Sequence, residues 1–254
     1  MCTLILLRRP DHNWPLLLAA NRDEMIARPW LSPARHWHEY PNVVAGADQL
    51  AGGSWLGLSD EGVVAIVMNR YGTLGPQAGR RSRGELVLKA LAYNGAAEAA
   101  TALTKLKPAL YRSFNLVVAD RNEAFWLCHR GDEKQDNIEV HALLTGMSML
   151  TDRDCNDLRS PRIRTYLPRF QSAPPPDPET DDGWSAWTAL LAKQTIDPTS
   201  DPESAINLVT QHGFGTVSSS LIALPAVNRD DLRPIWRFAS NRPDRTGYYQ
   251  LVPI

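Results

Sequence analysis

Strand-forming and helix-forming segments fall in separate blocks along this chain, and that order limits its fold more than any single motif does. Thr3–Leu7 and Leu16–Ala20 are apolar runs joined by RRPDHNWP, whose turn residues predict a hairpin. Val43–Ala47, Ser54–Ser59 and Val63–Asn69 follow as strands punctuated by glycine, and EGVVAIVMN has the β-branched density of a buried strand. A helical half comes next. Ser82 and Glu85 form an S-x-x-E capping box ahead of LVLKALAY, and AAEAATALTKL continues as helix until Pro108. Strands resume at Phe114–Asp120, Ala124–His129 and Ile138–Leu144, and Leu158–Gln171 reads as helix. SAPPPDPETDDG, residues 172–183, predicts an extended, exposed loop. Helices are expected at Trp184–Thr195 and Glu203–His212, the second with Ser200 and Glu203 as a capping box and Pro202 in its first turn. Strands at Val217–Leu224, Ile235–Ser240 and Gly247–Val252 close the chain. This segregation predicts an α+β layered domain with antiparallel sheet, not alternating βαβ units. The final strands need a sheet to join, so a single domain over residues 1–254 is expected, with the Pro-rich loop at 172–183 as an excursion.

Composition removes several function classes. With 254 residues, 43% hydrophobic and 22% charged, a core of this size needs neither disulfide nor metal to hold it. A net charge of −1 argues against a nucleic-acid partner, which calls for a basic surplus. The densest basic run, Arg80–Arg83, reads as a solvated loop. No apolar run reaches the length of a membrane span. Leu4–Leu7 is too short for a signal-peptide core, so Cys2 is expected to stay at the N-terminus. Cys2, Cys128 and Cys155 are an odd number without C-x-x-C, which predicts reduced thiols in a cytoplasmic compartment and does not separate that compartment from a mitochondrial one. No metal site is expected.

The chemistry-bearing stretch is the first hairpin. If its loop centres near Asp11–His12, Cys2 lies opposite Asn21, with Cβ atoms about 5 Å apart, and Asp23 is one diagonal step away. Asn21 and Asp23 then share one strand face, and Arg22 and Glu24 take the other. Once Met1 is removed, Cys2 carries an α-amine beside its own thiol, and that amine can act as a built-in general base without a histidine. Asp23 would position the amine, and a nearby ammonium raises the thiolate fraction. A plainer reading of the same residues is a strand start that buries a small thiol, followed by a solvated strand end.

The residues also carry a resemblance. Met1-Cys2 with AANRDE (Ala19–Glu24), AGGSWLGLSDEGVVAIVMNR (Ala51–Arg70), RSRGELV (Arg81–Val87), FNLVVAD (Phe114–Asp120) and FGTVSSSLIAL (Phe214–Leu224) resemble, in order, the blocks of the NRDE family. That family is also called the transport and Golgi organisation family. The resemblance implies an N-terminal nucleophile hydrolase-like fold, a four-layer αββα sandwich of two antiparallel sheets. It also implies a distant kinship to choloylglycine-type amidases, which begin Met-Cys and carry N-x-D on their second strand. On that likeness Cys2 is the nucleophile, Asn21 and Asp23 flank it, and Asn69 holds the oxyanion. The reaction implied is hydrolysis of a non-peptide amide. It requires no cofactor. Three departures stand out: Ala20 replaces the amidases' arginine, Met149 in Gly146–Met149 replaces an asparagine, and no late arginine lies near FGTVSSS.

The alternative on the same fold is a non-catalytic binding or trafficking protein for haem or lipid, a ligand class that the resemblance implies. His36 and His38, read as sharing a strand face, and Cys128 or His129 are the residues able to reach an iron. Trp55, Met68 and Met149 suit a flat apolar ligand or a plain core. Gly53 would let backbone approach a ligand, or form a turn with Gly52. Arg22 and Arg83 are candidate anion contacts or ordinary surface ion pairs. Ser218–Ser220 read as hydroxyls on an exposed strand face. The oligomeric state is not legible in these residues.

Overall fold

The computed structural model describes residues 2–131, 137–194, 204–229 and 231–251. The chain separates into two compact units, residues 1–28 with 145–253, and residues 29–144.

In the first unit, β1 (Thr3–Arg8), β2 (Leu16–Met25), β10 (Gly146–Leu150), β11 (Phe214–Leu224), β12 (Ile235–Ala239) and β13 (Tyr249–Gln250) form an antiparallel sheet of order β10-β1-β2-β11-β12-β13. Two helices, α3 (Pro161–Ser172) and α4 (Ser185–Leu191), cover one face. Ser160 starts α3 by accepting from the Ile163 N–H, with Pro161 preorganising the first turn. Arg162, Ile163, Tyr166, Leu167 and Phe170 are its buried stripe, at helical spacing. They meet Ile5, Leu7, Leu17, Ala19, Leu221 and Ala223, alternate residues of three strands. The residues between them, such as Leu4, Leu6, Leu16 and Leu18, are buried too. A strand buried on both faces loses its hydrophobic alternation, which is why TLILLR and LLLAA read as unbroken apolar runs.

In the second unit, β3 (Trp30–Ala34), β4 (Val43–Asp48), β5 (Leu56–Ser59), β6 (Val64–Asn69), β7 (Phe114–Ala119), β8 (Ala124–His129) and β9 (Glu139–Ala142) form an antiparallel meander in chain order. Two helices, α1 (Gly84–Leu91) and α2 (Ala96–Leu103), pack on Val43, Ala45, Val63, Ala65, Val67, Leu116, Val118 and Leu127. Asp120, just past β7, caps α2 by accepting from the Ala96 N–H at 2.8 Å. Among the described residues, no helix is long and apolar enough to cross a membrane.

Several sequence expectations change. The hairpin register is one residue off: Thr3, not Cys2, pairs with Asn21. β2 runs on through Met25, so Asn21, Arg22 and Asp23 are buried mid-strand and not a solvated strand end. The Ser82/Glu85 capping box does not form. Ser82 Oγ accepts from the Gly84 N–H, while Glu85 turns to Arg81 and Tyr111. Residues 205–212 are not helical. Their main chain runs beside β11, where Val209 bridges Gly215 and the Thr216 N–H donates to the Leu208 carbonyl. The Ser200/Glu203 capping box lies outside the described residues. His36 and His38 sit past the end of β3, in irregular backbone and in a turn respectively, with no shared strand face. Ser218–Ser220 are buried, not exposed. The 172–183 loop is pinned: Pro176 and Pro178 are buried, Trp14 Nε1 donates to Glu179, and Arg237 donates to the Thr180 and Asp181 carbonyls.

Candidate active site

In β2 the N-x-D pair points at the helices. Asn21 and Asp23 share the face that packs on α3 and α4, and both are buried. Asn21 Nδ2 donates to the carbonyls of Leu191 and Ile206, at 3.0 and 2.9 Å, so this amide ties the end of α4 and the 204–212 segment to the sheet. Asp23 has both oxygens engaged. Oδ2 accepts from Arg162 Nη1 at 2.9 Å, and Oδ1 accepts from Thr216 Oγ1 at 2.6 Å. Arg162 Nη1 also donates to Thr3 Oγ1 at 2.7 Å. The ion pair is sealed, with side-chain exposures of 1% and 0%.

A bulge in β11 makes this possible. Thr216 pairs with Asp23 and Ser218 with Arg22, which leaves Val217 as the extra residue. The bulge keeps Thr216 on the Asp23 face, where it also accepts from the Leu208 N–H. Beyond it, Ser219 donates to the Ala20 carbonyl and shares a hydrogen bond with the Tyr248 hydroxyl.

Continuing the β1–β2 register by one residue sets Cys2 across from Arg22. The half-buried Cys2 thiol meets the Asp23 main chain, 3.8 Å from its carbonyl oxygen. Burial pushes the thiol pKa up, and the Asp23 charge adds to this; the carbonyl contact and Arg22 pull the other way. Arg22 is buried and faces Glu24 at 3.7 Å, a partner that Arg28 shares. Met1 lies outside the described residues.

Arg162 is the residue that sequence reading missed. No arginine lies near FGTVSSS, but this one arrives from α3. Its signal was present: a charged residue standing on the apolar stripe of a helix is paired or functional. Met149 pairs with Ile5 in the helix-facing core. Its outward main-chain groups are both taken by Asn156. The Asn156 N–H donates to the Met149 carbonyl at 2.9 Å, and Asn156 Oδ1 accepts from the Met149 N–H at 2.7 Å. Asn156 holds φ 56°, a left-handed conformation that asparagine tolerates.

The remaining candidates belong to the second unit. Asn69 ends β6, half-buried, and its Nδ2 donates to the Arg70 carbonyl at 3.3 Å. Gly53 packs on the start of α1: a Cβ there would lie 2.5 Å from the Gly84 main chain. Trp55 meets Trp30 edge-on and fills the space above Gly46. Arg83 Nη1 donates to Thr73 Oγ1 and to the Ser113 carbonyl.

Comparison with known proteins places these features in context. Over 98% of its length the chain is similar in structure to all of a Caenorhabditis elegans ortholog of N-acylethanolamine-hydrolyzing acid amidase, with a TM-score of 0.59 and 12% identity. A conjugated bile acid hydrolase from Clostridium perfringens is similar over 99% of this chain and 96% of its own, with a TM-score of 0.52 and 12% identity. At that identity the likeness shows the fold: α+β, two antiparallel sheets with helices, of the N-terminal nucleophile hydrolase-like kind. In sequence, the chain is 36% identical over 114 residues to the Homo sapiens Transport and Golgi organization protein 2 homolog, covering 43% of this chain and 40% of that protein. The Bos taurus homolog is 37% identical over 110 residues, 41% of this chain and 38% of its own length. The aligned stretches thus span about two-fifths of the curated relatives. Residues 1–229 match the family model described as Transport and Golgi organisation 2, and the chain belongs to that family.

Proposed function

We propose that this protein hydrolyses a non-peptide amide by acyl transfer through Cys2, once Met1 is removed. The observation that carries the reading is the buried Asp23–Arg162–Thr216 cluster, formed by the residue whose main-chain carbonyl meets the Cys2 thiol. A carboxylate of this kind costs free energy to bury and is held in place by two partners, Arg162 and Thr216, which is how a site is preorganised. The kinship in fold to two amide hydrolases supports it.

In the proposed reaction the thiol proton passes to the Cys2 α-amine as sulfur attacks the amide carbonyl. The ammonium then protonates the departing amine as the C–N bond breaks, and water hydrolyses the thioester, freeing acid and thiol. Burial pushes the thiol pKa up, and the amine's role is to take its proton in the step itself. Arg22, on the strand face that Cys2 continues, is assigned to the substrate.

Intact-mass measurement and a thiol-acylating β-lactone probe test this. Expected are loss of Met1 and labelling at Cys2 that disappears in Cys2→Ala. Retention of Met1, or equal labelling of Cys2→Ala, sinks the reading. The second reading, a carrier of an apolar ligand such as haem or lipid, is favoured by one observation: both Asp23 oxygens are already engaged by Arg162 and Thr216. Under it, a haem titration gives a saturable Soret shift and the probe leaves Cys2 unmodified.

A further inference from the structure

The second unit holds a cluster that the amidase reading does not use. Strands β8 and β9 pair Cys128 with Glu139 and Trp126 with His141. Directly paired residues, and residues two apart, share one face of a sheet. Cys128, Glu139 and His141 therefore project from the same face as neighbours. We propose that these three residues bind a thiophilic divalent cation of the zinc type.

The geometry fits such an ion. One donor atom from each residue lies within 4.8 Å of the others. Cys128 Sγ is 3.8 Å from Glu139 Oε2, and His141 Nε2 is 3.1 Å from that same oxygen. Tetrahedral zinc bonds of about 2.0–2.3 Å separate neighbouring donors by about 3.3–3.6 Å. The two separations to Glu139 Oε2 are within a few tenths of an ångström of that spacing, and binding draws the Cys128 and His141 donors, no more than 4.8 Å apart, onto the ion. The set mixes one soft sulfur with one imidazole and one carboxylate, which selects zinc over magnesium or calcium.

The surroundings hold the donors in place. Trp126 stacks on His141, with centroids 4.8 Å apart and planes 26° apart, and fixes the imidazole plane. Arg130 Nε donates to Glu139 Oε1 at 3.0 Å and anchors the carboxylate by the oxygen that does not face the other donors. Arg130 Nη2, 3.3 Å from Oε2, is the contact a cation would displace. Cys128 is fully buried, whereas His141 is half-exposed, so the ion enters from the His141 side and keeps its fourth position toward solvent. Binding releases the thiol proton, and the thiolate and carboxylate together offset the charge of a divalent ion.

Cobalt(II) titration of the full, reduced, metal-free chain tests the proposal. Expected is a near-ultraviolet thiolate-to-cobalt charge-transfer band that saturates at about one equivalent and is displaced by zinc. The band persists in Cys2→Ala and Cys155→Ser and is abolished in Cys128→Ser. Because a buried position risks misfolding, His141→Ala, on a half-exposed side chain, provides the second arm. It lowers cobalt affinity at least about tenfold while leaving the circular dichroism spectrum unchanged. Absence of the band in the wild type, its survival in Cys128→Ser, or full affinity in a folded His141→Ala variant overturns the site.

Discussion

Asp23 and Glu139 each meet an arginine, one pair in each unit of the molecule. Asp23 and Arg162 are sealed from water, with Thr216 bonded to the carboxylate and Thr3 to the guanidinium. Glu139 and Arg130 keep side-chain exposures of 25% and 34% at the sheet edge. Coulomb attraction at equal distance is several-fold larger in the buried setting, but the cost of dehydrating the charges is larger still. The buried pair therefore specifies a conformation, because neither partner can leave the other alone. The edge pair is adjustable, because water replaces either partner at small cost.

Breaking each pair sharpens that contrast. Arg162→Met leaves Asp23 buried beside an apolar side chain, and urea denaturation is expected to show a loss of about 3–5 kcal/mol. Adding Asp23→Asn to it should restore a large part of the loss. Equal losses in the single and double variants would mean that the two charges are not coupled. Asn21→Ala removes the donor to two buried carbonyls, for an expected loss of about 2 kcal/mol in the same measurement. Arg130→Ala should cost less than about 1 kcal/mol. A larger loss would show that the edge cluster behaves as buried.

The edge pair also predicts a pH dependence. Hydrogen bonding from Arg130 lowers the Glu139 pKa below the usual carboxylate range; burial opposes this, and His141 helps it. A depressed folded-state pKa gives stability that is present above the unfolded value, about 4.3, and is lost as pH falls through the folded one. Acid denaturation of Arg130→Ala should therefore be less steep below about pH 4 than that of the wild type. Identical acid profiles would remove Arg130 as the cause. This is the smallest of the expected effects.

Much of the architecture was legible because buried strands of the second unit are β-branched runs between glycines, as in EGVVAIVMN. β3 escaped because Pro33 stands inside it, which marks an edge strand. The 204–212 segment misled through its spacing; its main chain is recruited by Thr216 and Asn21 instead of by its own helix. The register of the first hairpin was illegible for a physical reason. TLILLR and LLLAA are apolar on both faces, so sliding one residue changes no burial and leaves no trace in the pattern. That single slip moves Thr3, not Cys2, to the place opposite Asn21. The identities Cys2, Asn21 and Asp23 were readable, but Arg162, 139 residues beyond Asp23 along the chain, needed the fold to bring it in.

β10 is the outer strand of its sheet, and such a rim is where one polypeptide recruits another by adding a strand. At Met149 the donor and acceptor that an incoming chain would need are already occupied by a single residue, Asn156, which holds a left-handed conformation. The consequence is colloidal. This rim is blunted against the templated self-association that open sheet margins invite during refolding and at high concentration.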